Sequence, residues 1–463
     1  MTTIAAEAGS YRDPSGFVYE VGGEIYRAVS ESAVDEFETV WSSGVLQDLI
    51  ARGWLVEAER IEGSPIAAAS KASALLRHPR LSFVSYPYEW SFEALKSAAL
   101  LHLDIQLEVL DRNIALIDAS AYNIQLIGWR PVFIDHLSFR PYHEGDFWVG
   151  HGQFLEQFLN PLLLRAILGI PHNAWYRGHL EGIPTSELNS LLPLSSKFSL
   201  NILTHVTLPA RLQHRASAAS QDSFDRVLRT QLPRTSYRGL LLRLRNWIAR
   251  LSPRRTGSTT WQLYEDFRTY GTQELDNKRR FIAEFASKNR PQQLWDLGCN
   301  TGEFSELALE NGAAEVIGFD FDQGSLDLAF ARGRERRLRF LPLFLDAANP
   351  SPAQGWAGVE RKDLESRGQP DALLALAFIH HLAIGRNVPL ASAVDWLTGL
   401  APRGVIEFVP KTDPTVRTML RLRKDIFPTY TQEAFLNALG ERARVVKQEA
   451  ITESGRFLAW YER

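Results

Sequence analysis

The stretch "WDLGCNTGEFSELALENGAAEVIGFDFD" at 295–322 limits the fold of this chain more tightly than any other. An apolar run, Leu294 to Leu297, meets Gly298 and Gly302, which bracket "CNT". The helical pattern "EFSELALENG" follows, and a second apolar run, "AEVIGFD", ends on Asp320. Strand, glycine turn, helix and strand in that order begin a mostly parallel α/β sheet. Lacking Cβ atoms, the glycines let the backbone approach a ligand and take dihedrals that other residues resist. A helix starting at a strand's carboxyl end aims free N–H groups and its dipole at an anionic group. Asp320, eighteen residues after Gly302, suits both hydroxyls of a ribose. A dinucleotide fingerprint would need G-x-G-x-x-G, but Asn300 stands at its middle glycine. Asp296, two residues before the first glycine, is poorly suited to a pyrophosphate and well suited to an amino group. That moves the expectation from a dinucleotide toward an adenosyl amino acid.

At 463 residues the chain is too long for one ordinary core. Composition and rhythm divide it into an N-terminal α+β unit over 1–205, a basic helical connector over 206–259, and an α/β unit over 260–463. The first unit mixes strand-like runs such as "FVYEVGGEIYRAV" (17–29) with the amphipathic pattern "SFEALKSAALLHLDIQLEVLDR" (91–112). In the connector, Leu240, Leu241, Leu244, Trp247, Ile248 and Leu251 share one helical face, with Arg243, Arg245 and Arg250 beside it. Packing between units is the leading expectation for that face; a peripheral membrane or acidic-partner contact is the alternative. A net charge of −3 argues against nucleic acid as the partner of the whole molecule. The lone Cys299 excludes an intrachain disulfide framework and fits a reducing, cytoplasmic setting. The opening "MTTIAAEAGSYRDPSG" has no signal-peptide pattern. "ALLALAFIHHLAI" (372–384) is too short to span a bilayer.

The ordered set "DLGCNTG" (296–302), "GFD" (318–320), "LFLDAANP" (343–350) and "PDALLALAFIHHLAI" (370–384) resembles the class I methyltransferases that use S-adenosylmethionine. That resemblance implies a Rossmann-like seven-stranded sheet with the backbone of Gly298, Asn300 and Gly302 along the cofactor's amino acid part. It implies Asp296 near the ammonium group, Asp320 on the ribose, and Asp346 with Ala347 at the adenine edge. A Rossmann-like sheet with a nicotinamide cofactor, or with none, is the competing account.

S-adenosylmethionine carries its own electrophile, so the protein must orient the nucleophile and, where needed, remove a proton. Such groups belong at the carboxyl ends of the fourth and fifth strands. The fourth, "ALLALAF", is followed by His380 and His381, each suited to act as general base or to hold the acceptor. Packing within the sheet is the plainer alternative. In the fifth, "RGVIEFVPKTD" (403–413), Glu407 sits in an apolar run and needs a partner, with Lys411 and His381 expected. Asp425 and Tyr430 are expected at a substrate mouth, and Tyr264, Tyr270 and Lys278 over the cofactor. No D-P-P-Y-type tetrapeptide follows the fourth strand, which disfavours amino nitrogens of bases or glutamine as acceptors. No zinc spacing is present, and no metal is expected.

At full length, "SYPYEWSFEALKSAALL" (85–101), "LIDASAYNIQLIGWRPVFIDHLSF" (116–139), "IHHLAIGRNVPL" (379–390) and "IEFVPKTDP" (406–414) resemble the bacterial family of the nodulation protein NoeA. The resemblance covers most of residues 12–463 and is weakest in the connector. It implies a methyltransferase with a small-molecule or glycolipid-type acceptor. The N-terminal unit adds a second pattern: Asp118, Asn123 and, twelve residues on, Asp135. Kinases use that order, one acid for the hydroxyl and the other two groups for magnesium on the nucleotide. The region resembles a kinase-like lobe with departures: Leu116 replaces the usual histidine, His136 follows the last acid, and "EVGGEIY" (20–26) offers Arg27 nearby but no strand lysine. A degenerate lobe for docking or packing is the leading expectation. A kinase-like phosphotransferase or bifunctional enzyme, and a non-catalytic cofactor-sensing interaction protein, are the alternatives.

Overall fold

A computed structural model describes residues 5–62, 72–211, 232–254, 271–421 and 424–463. Near the amino end, β1 (Ala5–Ala6), β2 (Gly16–Val21), β3 (Glu24–Val29), β4 (Glu59–Arg60) and β5 (Ala74–His78) form an antiparallel sheet in the order β1-β2-β3-β5-β4. Two short antiparallel pairs follow: β6 (Ile114–Leu116) with β9 (Phe139–Pro141), and β7 (Ile124–Ile127) with β8 (Arg130–Phe133).

Between β5 and β6 runs the helix Phe92–Leu110, opened by Ser91, whose hydroxyl accepts from the Ala94 N–H. Its sequence reads as amphipathic, yet thirteen of its nineteen residues are buried. The reason is a second cover. Helix Arg234–Arg250, from the connector, buries Tyr237, Leu241, Leu244 and Ile248 and packs along it. Polar groups on the seam are matched. Gln106 donates to the Tyr237 hydroxyl and accepts from the Leu116 N–H, and Arg245 clasps Asp104 at 2.6 and 3.0 Å. The connector's apolar face is thus spent on the protein interior. No helix among the described residues is long and apolar enough to cross a membrane.

The carboxy-terminal sheet has seven strands in the order β12 (Phe340–Phe344), β11 (Val316–Asp320), β10 (Leu294–Leu297), β13 (Ala372–Ala375), β14 (Arg403–Phe408), β16 (Phe457–Glu462), β15 (Arg444–Ala450). The first five are parallel, and β16 enters antiparallel between β14 and β15. All four residues of β10 and of β13 are buried, as expected for central strands covered on both faces. The strand order reverses between β10 and β13, which opens a crevice at their carboxyl ends.

The amino-terminal part is fastened to this sheet by buried polar contacts. Arg367 grips Glu89 through two hydrogen bonds of 2.7 and 2.5 Å, its guanidinium lying over the rings of Phe83 and Tyr86. Gln323 donates to Asn173, and the Glu93 N–H donates to Asp327.

Candidate functional site

At the crevice lies a cavity of about 1030 Å³. Its floor is the turn after β10. Gly298, Asn300 and Gly302 all take positive φ, at 78°, 48° and 83°. A Cβ on Gly302 would lie 2.5 Å from the Phe340 ring, and one on Gly298 would lie 3.1 Å from Phe378. The turn is therefore pressed between two aromatic side chains in a backbone form that favours glycine. Gly298 and Asn300 line the cavity; Gly302 shapes the turn from behind and starts the helix Glu303–Glu310.

Two acids meet at this floor. Asp320, at the end of β11, accepts from the Asn300 N–H at 2.9 Å and from the Asp322 N–H at 2.8 Å. Asp296, in β10, is buried and accepts from the Ser305 hydroxyl at 2.6 Å. Removal from water pushes each carboxyl up to about 6, against the pull of these hydrogen bonds. Both face the cavity, as do Asp346 and Ala347 after β12. Asp346 is tied by the Ala348 N–H at 3.1 Å and by Arg386 at 3.2 Å.

A further part of the wall comes from the segment after β13. His380 and His381 line the cavity with ring centroids 4.0 Å apart. Among the described residues, neither ring nitrogen of His380 has a hydrogen-bond partner, although both are buried. Burial drives His380 well below the usual imidazole range and His381 down to about 4. Both rings are therefore neutral at pH 7, with nitrogens able to accept a hydrogen bond.

Glu407 does not line this cavity. It is fully buried behind it, accepting from Lys278 Nζ at 2.7 Å and from the Ala377 N–H at 2.9 Å, with Arg456 at 3.6 Å. Lys278 and Arg456 themselves reach the cavity wall. Lys411, one expected partner of Glu407, pairs with Asp425 instead, at 2.8 Å. Tyr430 is buried and donates to the Val409 carbonyl, and neither it nor Asp425 lines the cavity. Tyr264 and Tyr270 lie outside the described residues.

Sequence reasoning missed Phe321, Phe378 and Arg386 on the wall. Phe321 is half exposed directly after Asp320, with the Arg386 guanidinium 5.9 Å from its ring. Its one signal was its place directly after a strand-end acid, at the carboxyl edge of the sheet.

In the amino-terminal part, Asn123 donates to Asp118 at 2.9 Å. Burial raises the Asp118 carboxyl, and the negative charge of Asp135 adds to that rise. Asp135 accepts from the Ser138 hydroxyl at 2.7 Å and the Leu137 N–H at 3.0 Å, and stands 3.3 Å from Arg27 of β3. Arg27 also pairs with Asp13.

Five parallel strands, an antiparallel seventh inserted beside the fifth, and a cavity at the switch point with acids at two strand ends define a class I methyltransferase-like α/β fold. The chain is 48% identical over 458 residues to nodulation protein NoeA of Rhizobium meliloti (strain 1021), spanning 98% of this chain and 96% of that protein. It belongs to the NoeA family. No family model matches the sequence. Among solved structures, the N-methyltransferase NodS from Bradyrhizobium japonicum WM9 is similar at 13% identity over 42% of this chain and 97% of that one, with a TM-score of 0.32. The 16S rRNA methylase RmtB is similar at 21% identity, over 42% of this chain and 63% of that one, with a TM-score of 0.28.

Proposed function

We propose that the protein transfers a methyl group from S-adenosylmethionine to a small-molecule or glycolipid-type acceptor. The observation that carries this reading is that one cavity is lined both by the glycine turn with Asp320 and by the paired histidines, which burial keeps neutral. The residues fit the donor. At Gly298 and Gly302 the turn packs so closely on Phe378 and Phe340 that side chains there would displace it, and the acids at the strand ends suit an ammonium group and a ribose. On this reading Asp296 serves the ammonium, Asp320 the ribose hydroxyls, and Asp346 with Ala347 the adenine edge. When bound, the donor supplies an electrophilic methyl group on a sulfonium.

The chain's own part is to orient the acceptor and receive its proton. His380 or His381, neutral through burial, accepts the hydrogen bond of an acceptor O–H or N–H. Glu407 acts as a positioning residue: it holds Lys278 and Arg456 against the wall and fixes the Ala377 backbone just before the histidines. Incubation with labelled S-adenosylmethionine and a cell extract should yield a discrete methylated product. His380→Ala or His381→Ala should remove that product while binding of S-adenosylhomocysteine persists. Unchanged turnover in both variants would reject the histidine assignments. Tight adenosyl binding with no acceptor turnover would favour a cofactor-sensing role instead.

A second reading concerns the amino-terminal part, where Asp118, Asn123 and Asp135 come together beside Arg27. We read it as a degenerate kinase-like lobe used for docking, because Arg27, Ser138 and the Leu137 N–H already engage the Asp135 carboxylate. ATP consumption with magnesium that disappears in Asp135→Asn would overturn this in favour of phosphotransfer.

A further inference from the structure

The segment from Leu191 to Ala210 turns large apolar side chains outward. Leu194, Phe198 and Leu200 are 78%, 90% and 74% exposed, and Leu191, Leu203 and Leu208 are between 43% and 49% exposed. Single exposed leucines are ordinary, whereas six within eighteen residues need a reason. Core packing does not supply one. The inward positions of the same segment are taken by Ile202, Val206 and Ala210, all buried, and His205 packs against His151 and Trp247. The segment therefore has two apolar faces, one used and one offered to solvent.

Its charge is one-sided. No acid occurs from Leu188 to Arg211, where the only charged residues are Lys197 and Arg211. The His205–Trp247 stack joins it to helix Arg234–Arg250, whose exposed Arg243 lies close enough for its charge to act on His205. Arg250 is also exposed on that helix, which contains no acid at all.

We propose that this face, with Leu194, Phe198 and Leu200 as its inserting side chains, binds the surface of a bilayer containing anionic lipid. Protruding apolar side chains bordered by cations are the pattern of an interfacial contact, in which apolar insertion and headgroup attraction add. A second copy of the chain is a poorer occupant, because a self-paired patch would set its cations against themselves. The contact is separate from the cavity and stands whatever reaction occurs there.

The test is sedimentation of the full chain with phosphatidylcholine vesicles, with and without phosphatidylglycerol. Binding is expected to the anionic vesicles, to weaken with salt, and to fall by about tenfold or more in Phe198→Asp with Leu200→Asp. Arg243→Glu with Arg250→Glu should reduce the preference for phosphatidylglycerol. All four residues are exposed, so melting temperatures and S-adenosylhomocysteine binding should match the parent protein; the milder Phe198→Ser tests the same point with less added charge. Absence of vesicle binding, or binding unchanged in both the aspartate and serine variants, would overturn the proposal. So would concentration-dependent self-association that the aspartate variant abolishes, which would assign the face to a second copy.

Discussion

Lys278 and Glu407, 129 residues apart in sequence, meet at 2.7 Å with both side chains shielded from solvent. The carboxylate also receives the Ala377 N–H, and Arg456 stands 3.6 Å away while gripping Asp413 at 2.6 Å. A buried charge is tolerable only when paired and hydrogen-bonded. Glu407→Ala would take the shared carboxylate from Lys278 and Arg456, and is expected to cost about 3–5 kcal/mol of stability by denaturant unfolding. Lys278→Met with Glu407→Leu should cost less than the two single changes together, since neither partner is then left bare. Additive losses would mean that the pair is not a unit.

Gly302→Ala tests the turn. The new methyl group would enter the Phe340 ring at 2.5 Å, on a backbone at φ +83°. A loss of about 1–3 kcal/mol is expected, together with weakened binding of S-adenosylhomocysteine. Gly239→Ala is the matching control, because it lies in a helix with open space around it. That change should be neutral or slightly stabilising.

Asp320 has two tasks that one substitution can separate. Its side chain holds the turn through the Asn300 N–H and, on the proposed reading, the ribose of the donor. Asp320→Ala should weaken S-adenosylhomocysteine binding by about 100-fold, near 2.7 kcal/mol, as expected when a charged hydrogen-bonding group is removed. Calorimetry reads this directly. Full affinity in a folded variant would exclude the ribose assignment.

Donor affinity should also depend on pH with a definite sign. Asp296 and Asp320 stand at about 6 in the folded chain, above the ordinary 3.8. The native state therefore binds these protons more tightly than the unfolded one, so the two groups favour folding at low pH and that contribution is lost as pH rises from about 4 through 6. His380 and His381 act oppositely: their depressed values lower stability as pH falls below 6.5. Stability in this window is thus a mixture, and ligand affinity is the cleaner observable. If ionised Asp296 and Asp320 receive the donor, S-adenosylhomocysteine binding should weaken as pH falls through 6 and release protons at pH 5. The released protons would appear as a buffer-dependent heat; a flat affinity from pH 8 to 5 would contradict the assignment.

The glycine turn, Asp320, Asp346 and the paired histidines were legible in sequence because each depends on local spacing at the end of a strand. A run that alternates short apolar segments with helices places its strand-end residues on one edge, whatever the loops do. Less was legible where one residue pattern serves several folds. The helix Phe92–Leu110 reads as half-exposed until helix Arg234–Arg250 covers its other side. The basic connector face reads first as a packing face, with a membrane or acidic-partner contact as the alternative, and only its burial against that helix shows it packed.

By itself, then, the sequence determined the α/β class of the carboxy-terminal part, the position of its glycine turn and the acids that flank it. Only tertiary structure decided that Glu407 lies behind the cavity with Lys278 and Arg456, that Phe321 and Arg386 share its rim, and that the apolar side chains near Phe198 point outward. The physical reason is range. Backbone turns and strand ends are fixed by neighbours a few residues away, whereas charge pairing and burial depend on which distant segments meet.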